Sequence, residues 1–285
     1  MATLLDFRRR IRSVKSTQQV TRAMKFVSAA RLRRAQEMAI EARPYSTAIT
    51  QIVRSVAGRM EEPAHPLLAR RPEERALLVI VTGDRGLAGA FNANAVRRAV
   101  EFLRAHSAQK MEVLAVGRKG RDSFRKQKWP LAGEYVGVTA RADFKKAQEI
   151  GAKIIEHYAA EKTDAVYLLF NEFKSVITQK MVLEKLLPID PAEEDASGSQ
   201  VDYIYEQPAE ELLNGLLPKY IEARIYRMLA DSSAAEHAAR MTAMDSATRN
   251  AGELIDTLTL RMNKIRQAAI TKEIIEVVSG ASWSA

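Results

Sequence analysis

Apolar residues in the last third of the chain recur every three or four positions. They fall at Met244, Ala247, Ala251, Leu254 and Leu258, then at Ile265 and Ala268. From Lys219 to Ser279 there is no proline and one interior glycine, Gly252. This is helix spacing sustained over many turns, and at 1.5 Å per residue it predicts a rod about 90 Å long. A compact domain cannot bury a rod of that length. It has to lie along another helix, project into a partner, or both.

The first third carries a second long period. Thr3 to Arg43 reads as one helix, opened by Thr3 and Asp6 in the spacing of a capping box. Leu4, Phe7, Ile11 and Val14, then Leu32, Ala35, Ala39 and Ala42, form a rough heptad. Its middle positions are polar: Gln18, Thr21, Lys25 and Ser28. Such a seam makes a marginal coiled coil, read either as a poorly packed helix or as one shaped in the middle for a second surface. After Pro44, Tyr45 to Met60 continues as helix. EEPAHPLLARRPEE, with three prolines, is a linker.

The pattern then changes. Ala76 to Thr82 is a short continuous apolar run, as a strand buried on both faces requires. GDRGLAGAFN follows, then a helix from Asn92 to His106. Met111 to Gly117 is a second such run, and the basic stretch RKGRDSFRKQKW comes after it. Glu134 to Val138 predicts a short strand and Phe144 to Glu161 a helix. Asp164 to Phe173 and Val176 to Ile189 read as two strands paired through Lys174 and Ser175. Pro191 to Gln200 is a loop and Tyr203 to Glu206 an edge strand. Strands alternating with helices indicate an α/β domain with a partly parallel sheet and an antiparallel addition.

The simplest architecture is an antiparallel coiled coil of the two terminal helices with an inserted Rossmann-like α/β domain. By residue, 1–60 and 208–285 form the shaft, 61–75 the linker and 76–207 the α/β domain. The amino-terminal helix, at about 60 Å, is the shorter. The tip of the carboxy-terminal helix is therefore expected to run on unpaired.

Charge narrows the partners. The net charge is +9, which calls for an acidic partner, a nucleic acid or an anionic membrane surface. Arg8, Arg9, Arg10, Arg12, Lys15, Arg22, Lys25, Arg31, Arg33 and Arg34 stand in a stretch without one acidic residue. A run of one sign repels itself unless something acidic meets it. Nucleic acid would serve. However, aromatics are few there beyond Phe7 and Phe26, and an acidic protein surface serves equally well. The absence of cysteine removes disulfides and thiol control. With no long apolar segment and no apolar leader, a cytosolic-side protein is expected.

Candidate chemistry is sparse. GDRGLAG lies between a strand and a helix, where a phosphate loop would. Yet it lacks the terminal Gly-Lys-Ser/Thr, and Gly83, Gly86 and Gly89 miss the dinucleotide spacing. The plain alternative is a glycine-rich turn. His65, His106, His157 and His237 lack metal spacing and are expected at the surface. Glu193, Glu194 and Asp195 read as solvated loop carboxylates. No constellation of nucleophile, acid and base emerges, which argues against an enzyme.

Several stretches are specific enough to carry a resemblance. RRRIRSVKSTQQVTRAMKFVSAARLRRAQ, TGDRGLAGAFN, AARMTAMDSATRNAGELI and NKIRQAAITKEIIEVVSGA stand in an order that resembles, from end to end, the gamma subunit of bacterial F-type ATP synthases. The resemblance implies that the terminal helices form the central shaft inside the ring of alpha and beta subunits. It implies that the α/β domain sits outside the ring and binds epsilon and the c-subunit ring. Shaft rotation would drive the beta sites through their conformations. It further implies a non-catalytic subunit of an ion-transporting ATPase, with no cofactor or metal of its own, peripheral at the cytoplasmic face of the bacterial plasma membrane.

Residue by residue, Met24 and Lys25 match shaft positions facing an acidic lever of beta. Arg266 and Gln267 match the contact with a beta loop called the catch. Thr271, Glu273 and Glu276 match polar positions near the carboxy-terminal tip, and Arg240 a basic position linked to coupling; all eight are expected as contacts with the beta subunit. Tyr203, Tyr205 and Glu206 match the foot near epsilon and the c ring. Two departures stand out: Trp283 replaces the usual small residues at the end, and the cysteine-bearing insertion of chloroplast relatives is missing. The alternative kept open is a basic coiled-coil adaptor for nucleic acid.

Overall fold

The structure, a computed structural model, describes residues 3–58, 65–189 and 209–282. The edge strand expected at Tyr203–Glu206, the loop acids, Met60 and Trp283 lie outside them. In order, the elements are α1 (Leu4–Ala57), a 3-10 turn (Pro66–Leu68), β1 (Arg75–Val81), α2 (Phe91–Ala105), β2 (Lys110–Val116), α3 (Arg118–Lys126), β3 (Leu131–Tyr135), α4 (Phe144–Ala159), β4 (Ala165–Phe173), β5 (Gln179–Leu187) and α5 (Ala209–Ser282).

The terminal helices are longer than the periods alone predict. The 54 residues of α1 span about 80 Å and the 74 of α5 about 110 Å. Pro44 does not end α1. Its missing N–H removes one bond of the ladder, but Ala42 and Ser46 on either side are buried, and Arg43 is tied to Asp231. Tertiary packing holds the helix through the proline. At the start, the capping box forms as expected: the Thr3 N–H donates to the Asp6 carboxylate at 2.9 Å and the Asp6 N–H to the Thr3 hydroxyl at 3.3 Å.

The sheet has the order β3-β2-β1-β4-β5. β1 pairs parallel with β2 and β4, β2 parallel with β3, and β5 antiparallel with β4. β1 is central and covered on both faces, which explains its unbroken apolar run. On one face Leu78, Ile80, Val113 and Leu169 pack with Phe102 and Leu103 of α2 and Phe124 of α3. Each such side chain contributes about 1.5–3 kcal/mol on burial.

One expectation is corrected, and one helix lies where the sequence reading named no element. The basic stretch after β2 forms α3, whose inward face holds Gly120 and Phe124, one turn apart. Two residues are too few to show a period. The strand expected at Glu134–Val138 lies instead at Leu131–Tyr135, because its ladder with β2 begins at Leu131 opposite Val113.

The chain falls into two compact units, 1–28 with 241–285, and 29–240. This boundary lies inside the helices, whereas the sequence-based division was drawn where the element type changes. In the first unit the two helix segments are antiparallel: Lys25 Nζ meets Asp245 Oδ1 at 2.5 Å, while the Thr248 hydroxyl donates to that of Thr21 at 2.8 Å. Gln18 Nε2 donates to the Thr248 carbonyl at 3.4 Å. Gly252 permits this approach, since a Cβ there would stand 3.2 Å from Gln18 Nε2. The polar seam of α1 is therefore not poorly packed: Gln18, Thr21 and Lys25 find hydrogen-bonding partners on α5, and Ser28 is buried.

Candidate partner surfaces and the helix socket

In the second unit, α5 passes the carboxyl ends of the parallel strands. Doubly wound folds usually bind ligands there, at the point where strand order reverses. Here that point lies between β1 and β4, and the chain's own helix occupies the region. The loop after β1 meets it directly. A Cβ at Gly83 would come within 2.8 Å of the Glu236 carboxyl carbon, so a larger residue there would have to push that carboxyl group aside. Arg240 Nη2 lies 3.4 Å from the Gly86 carbonyl and, with Glu236 Oε1, closes an ion pair at 2.5 Å.

Asp84 ties the surrounding loops together. Its carboxylate accepts from the backbone N–H of Arg118 at 3.0 Å, from that of Gly137 at 2.9 Å and from the Thr139 hydroxyl at 3.0 Å. The same loop as Gly137 and Thr139 carries Ala140, whose carbonyl lies 3.4 Å from His237 Nε2. Burial raises the Glu236 carboxyl above its ordinary value, although Arg240 opposes the shift. Burial likewise lowers the pKa of His237, favouring the neutral imidazole. These ionisable groups engage one another, so the glycine-rich loop holds a helix in the place of a phosphate.

The expectation of four surface histidines is corrected here. His237 and His157 are buried, at 3% and 6% exposure. His237 stands among alanines and serines that let neighbouring backbone close over it. The missed signal was the run of small residues around Glu236, His237 and Arg240, which marks a helix enclosed on all sides.

The residues singled out from sequence fall into two sets. Arg240 is buried and internally bonded. Lys25 is half-exposed and paired with Asp245, which it holds below the ordinary carboxylate value, and Met24 beside it is half-buried. Arg266, Gln267, Thr271, Glu273 and Glu276 are all exposed. The Thr271 hydroxyl donates to the Gln267 carbonyl at 2.9 Å, and Lys272 lies 3.4 Å from Glu276. Tyr203, Tyr205 and Glu206 lie outside the described residues. Sequence reasoning did not single out the exposed apolar side chains Val20 and Val27 on α1 or Leu260 on α5, and named Phe26 only as an aromatic. The last turns, where Ile274, Ile275 and Val277 are exposed, already read from sequence as apolar on more than one face and wanting to be surrounded. Exposed apolar side chains that form a contiguous patch are a candidate partner surface.

The comparisons with known proteins agree with this arrangement. The family model described as ATP synthase matches residues 3–282. The ATP synthase gamma chain of Solibacter usitatus is 53% identical over 286 residues, covering 99% of each chain. That of Pelotomaculum thermopropionicum is 49% identical over 282 residues, again covering 99% of each. Among solved structures, a chain of the Euglena gracilis mitochondrial ATP synthase, in an OSCP/F1/c-ring structure, matches with a TM-score of 0.68 at 20% identity. It covers 98% of this chain and 93% of that one, and supports the fold. A chain of the central stalk/c-ring structure from Tetrahymena thermophila matches with a TM-score of 0.61 at 25% identity, covering 80% and 99%. With a family model spanning nearly its whole length and relatives near half identity from end to end, the chain belongs to the ATP synthase gamma chain family.

Proposed function

We propose that this chain is the central rotary shaft of a bacterial F-type ATP synthase, coupling rotation to conformational change at catalytic sites on beta subunits. The observation that carries this reading is 53% identity to an ATP synthase gamma chain over 99% of both chains. The open tip of α5 supports it: a helix exposed at every position from Thr271 to Val277 has its packing partner elsewhere. The alternative of a basic adaptor for nucleic acid has no comparable support.

In this reading, alpha and beta subunits enclose the helical pair, with Met24, Lys25, Arg266, Gln267, Thr271, Glu273 and Glu276 at the beta contacts. Arg240 acts from inside, by holding the helix to the sheet domain. Epsilon and the c ring meet the α/β domain, with Tyr203, Tyr205 and Glu206 as the foot contacts. Catalysis belongs to the assembled complex. Among the described residues no helix is long and apolar enough to cross a membrane, and attachment to the cytoplasmic face of the plasma membrane runs through the complex. Exposed charge pairs are worth about 0–1 kcal/mol each, so a rod presenting basic residues can exchange like partners cheaply.

Co-expression with alpha and beta subunits tests the reading. The expected product is a stable complex with ATPase activity, and free chains would refute it. Within that complex, Arg266→Glu should weaken assembly or coupling more than Arg125→Glu. The latter breaks only an exposed pair, with Glu134 at 2.6 Å. Equal effects would remove the catch assignment.

A further inference from the structure

Eleven consecutive residues of α5, from Met228 to Ala238, are buried, with no side of the helix facing solvent. Most are small: Ala230, Ser232, Ser233, Ala234, Ala235 and Ala238. A helix surface made of such side chains is smooth. Apolar contact along it is strong but non-directional, and does little to stop the helix turning about its own axis. Hydrogen-bonded ion pairs, by contrast, have fixed directions.

One such pair lies at the centre of the socket. Asp231 is fully enclosed, at 0% exposure. Arg43 Nη2 of α1 donates to its Oδ1 at 2.8 Å, and the same nitrogen reaches the carbonyl of Phe173 at the end of β4. Arg227, one turn earlier on α5, lies 3.6 Å from Asp231 Oδ2 and 3.6 Å from Glu172 Oε1. One carboxylate thus ties α5 to α1 and to the sheet. Glu236, held by Arg240 against the Gly83 loop, lies five residues on, about 140° around the helix. The helix is pinned from nearly opposite sides.

Stability alone does not account for this arrangement. Replacing a buried ion pair with apolar side chains of similar volume is often neutral or stabilising, and Ala230, Ala234 and Ala235 stand near Asp231 along the helix. What the pair adds is orientation. We propose that Asp231, with Arg43, is a positioning pair for energy coupling: it fixes the rotational setting of α5 in the sheet domain, so that torque on the domain turns the helix without slippage.

The inference rests on the rotary-shaft reading, and the test separates the two. The holoenzyme is reconstituted into liposomes, and ATP hydrolysis and ATP-driven ion uptake are measured on the same vesicles. The variants are Asp231→Asn, Arg43→Lys and the double apolar replacement Asp231→Leu with Arg43→Met, which keeps the socket filled. The expected result for the double replacement is hydrolysis little changed, with ions moved per ATP falling at least about fivefold, the lower end of coupling between linked sites. Arg43→Lys keeps the charge but loses the fork and should fall between. An unchanged ratio, including a proportional loss of both activities, would overturn the proposal. If the wild-type enzyme itself drives no ion uptake, the rotary reading fails instead.

Discussion

Two stretches of α5 invert the usual relation between hydrophobicity and burial. Residues 230–237, ADSSAAEH, are polar or small and wholly buried. Residues 270–277, ITKEIIEV, hold far more aliphatic surface, yet Ile270, Ile274, Ile275 and Val277 are 48–72% exposed. The difference lies in what each stretch meets. The first has the sheet domain's loops and α1 within reach, and small side chains let backbone close on backbone. The second is exposed among the described residues. Burial inside one polypeptide is set by the fold, whereas the proposed shaft reading assigns the exposed apolar area at the helix tip to a partner.

The largest expected break in this contrast is Gly83→Val. Its side chain would strike Glu236 in the socket, and overpacking of that kind costs about 3 kcal/mol. Urea denaturation of the purified chain should show the loss, and an unchanged midpoint would mean the loop is not seated on α5. Next comes Ala234→Leu, at a position with no exposure, with an expected cost of about 2 kcal/mol. Ala268→Leu, in the exposed stretch, should stay within about 0.5 kcal/mol. Equal costs would erase the distinction between the two regions.

A subtler test uses pH. Glu236 has its folded-state pKa raised above the ordinary 4.5 by burial. Its contribution to stability is therefore present below the ordinary value and lost as pH rises through the folded one. Glu236→Gln cannot ionise and should decline less over that interval, read as melting temperature against pH. A parallel pair of curves would place Glu236 in water. The smallest effect on the isolated chain is expected from Ile275→Ser, since that side chain is 58% exposed. The same change should weaken assembly with alpha and beta subunits, measured by subunit titration. A destabilised free chain with normal assembly would reverse the assignment of the tip.

Much of the fold was legible because it rests on periods. The apolar runs of β1 and β2, and the helical repeats of α2, α4 and the terminal helices, each bury a continuous face. α3 was not legible, since Phe124 is its single large buried side chain. The tip residues Arg266 to Glu276 were located through resemblance, and the structure finds them exposed. The socket was hidden for a different reason. Asp231, Glu236 and His237 look like surface residues by type, and only the arrangement of three loops and a second helix around them makes them internal.

The hydrogen-bonded seam between α1 and α5 has one more consequence. A slip of one heptad would again set a and d positions of one helix against those of the other. It would separate Thr21 from Thr248 and Lys25 from Asp245, stranding polar groups in a partly buried seam. The two helices therefore carry a vernier, and the reach of the α5 tip is calibrated by three polar contacts near the middle of the pair.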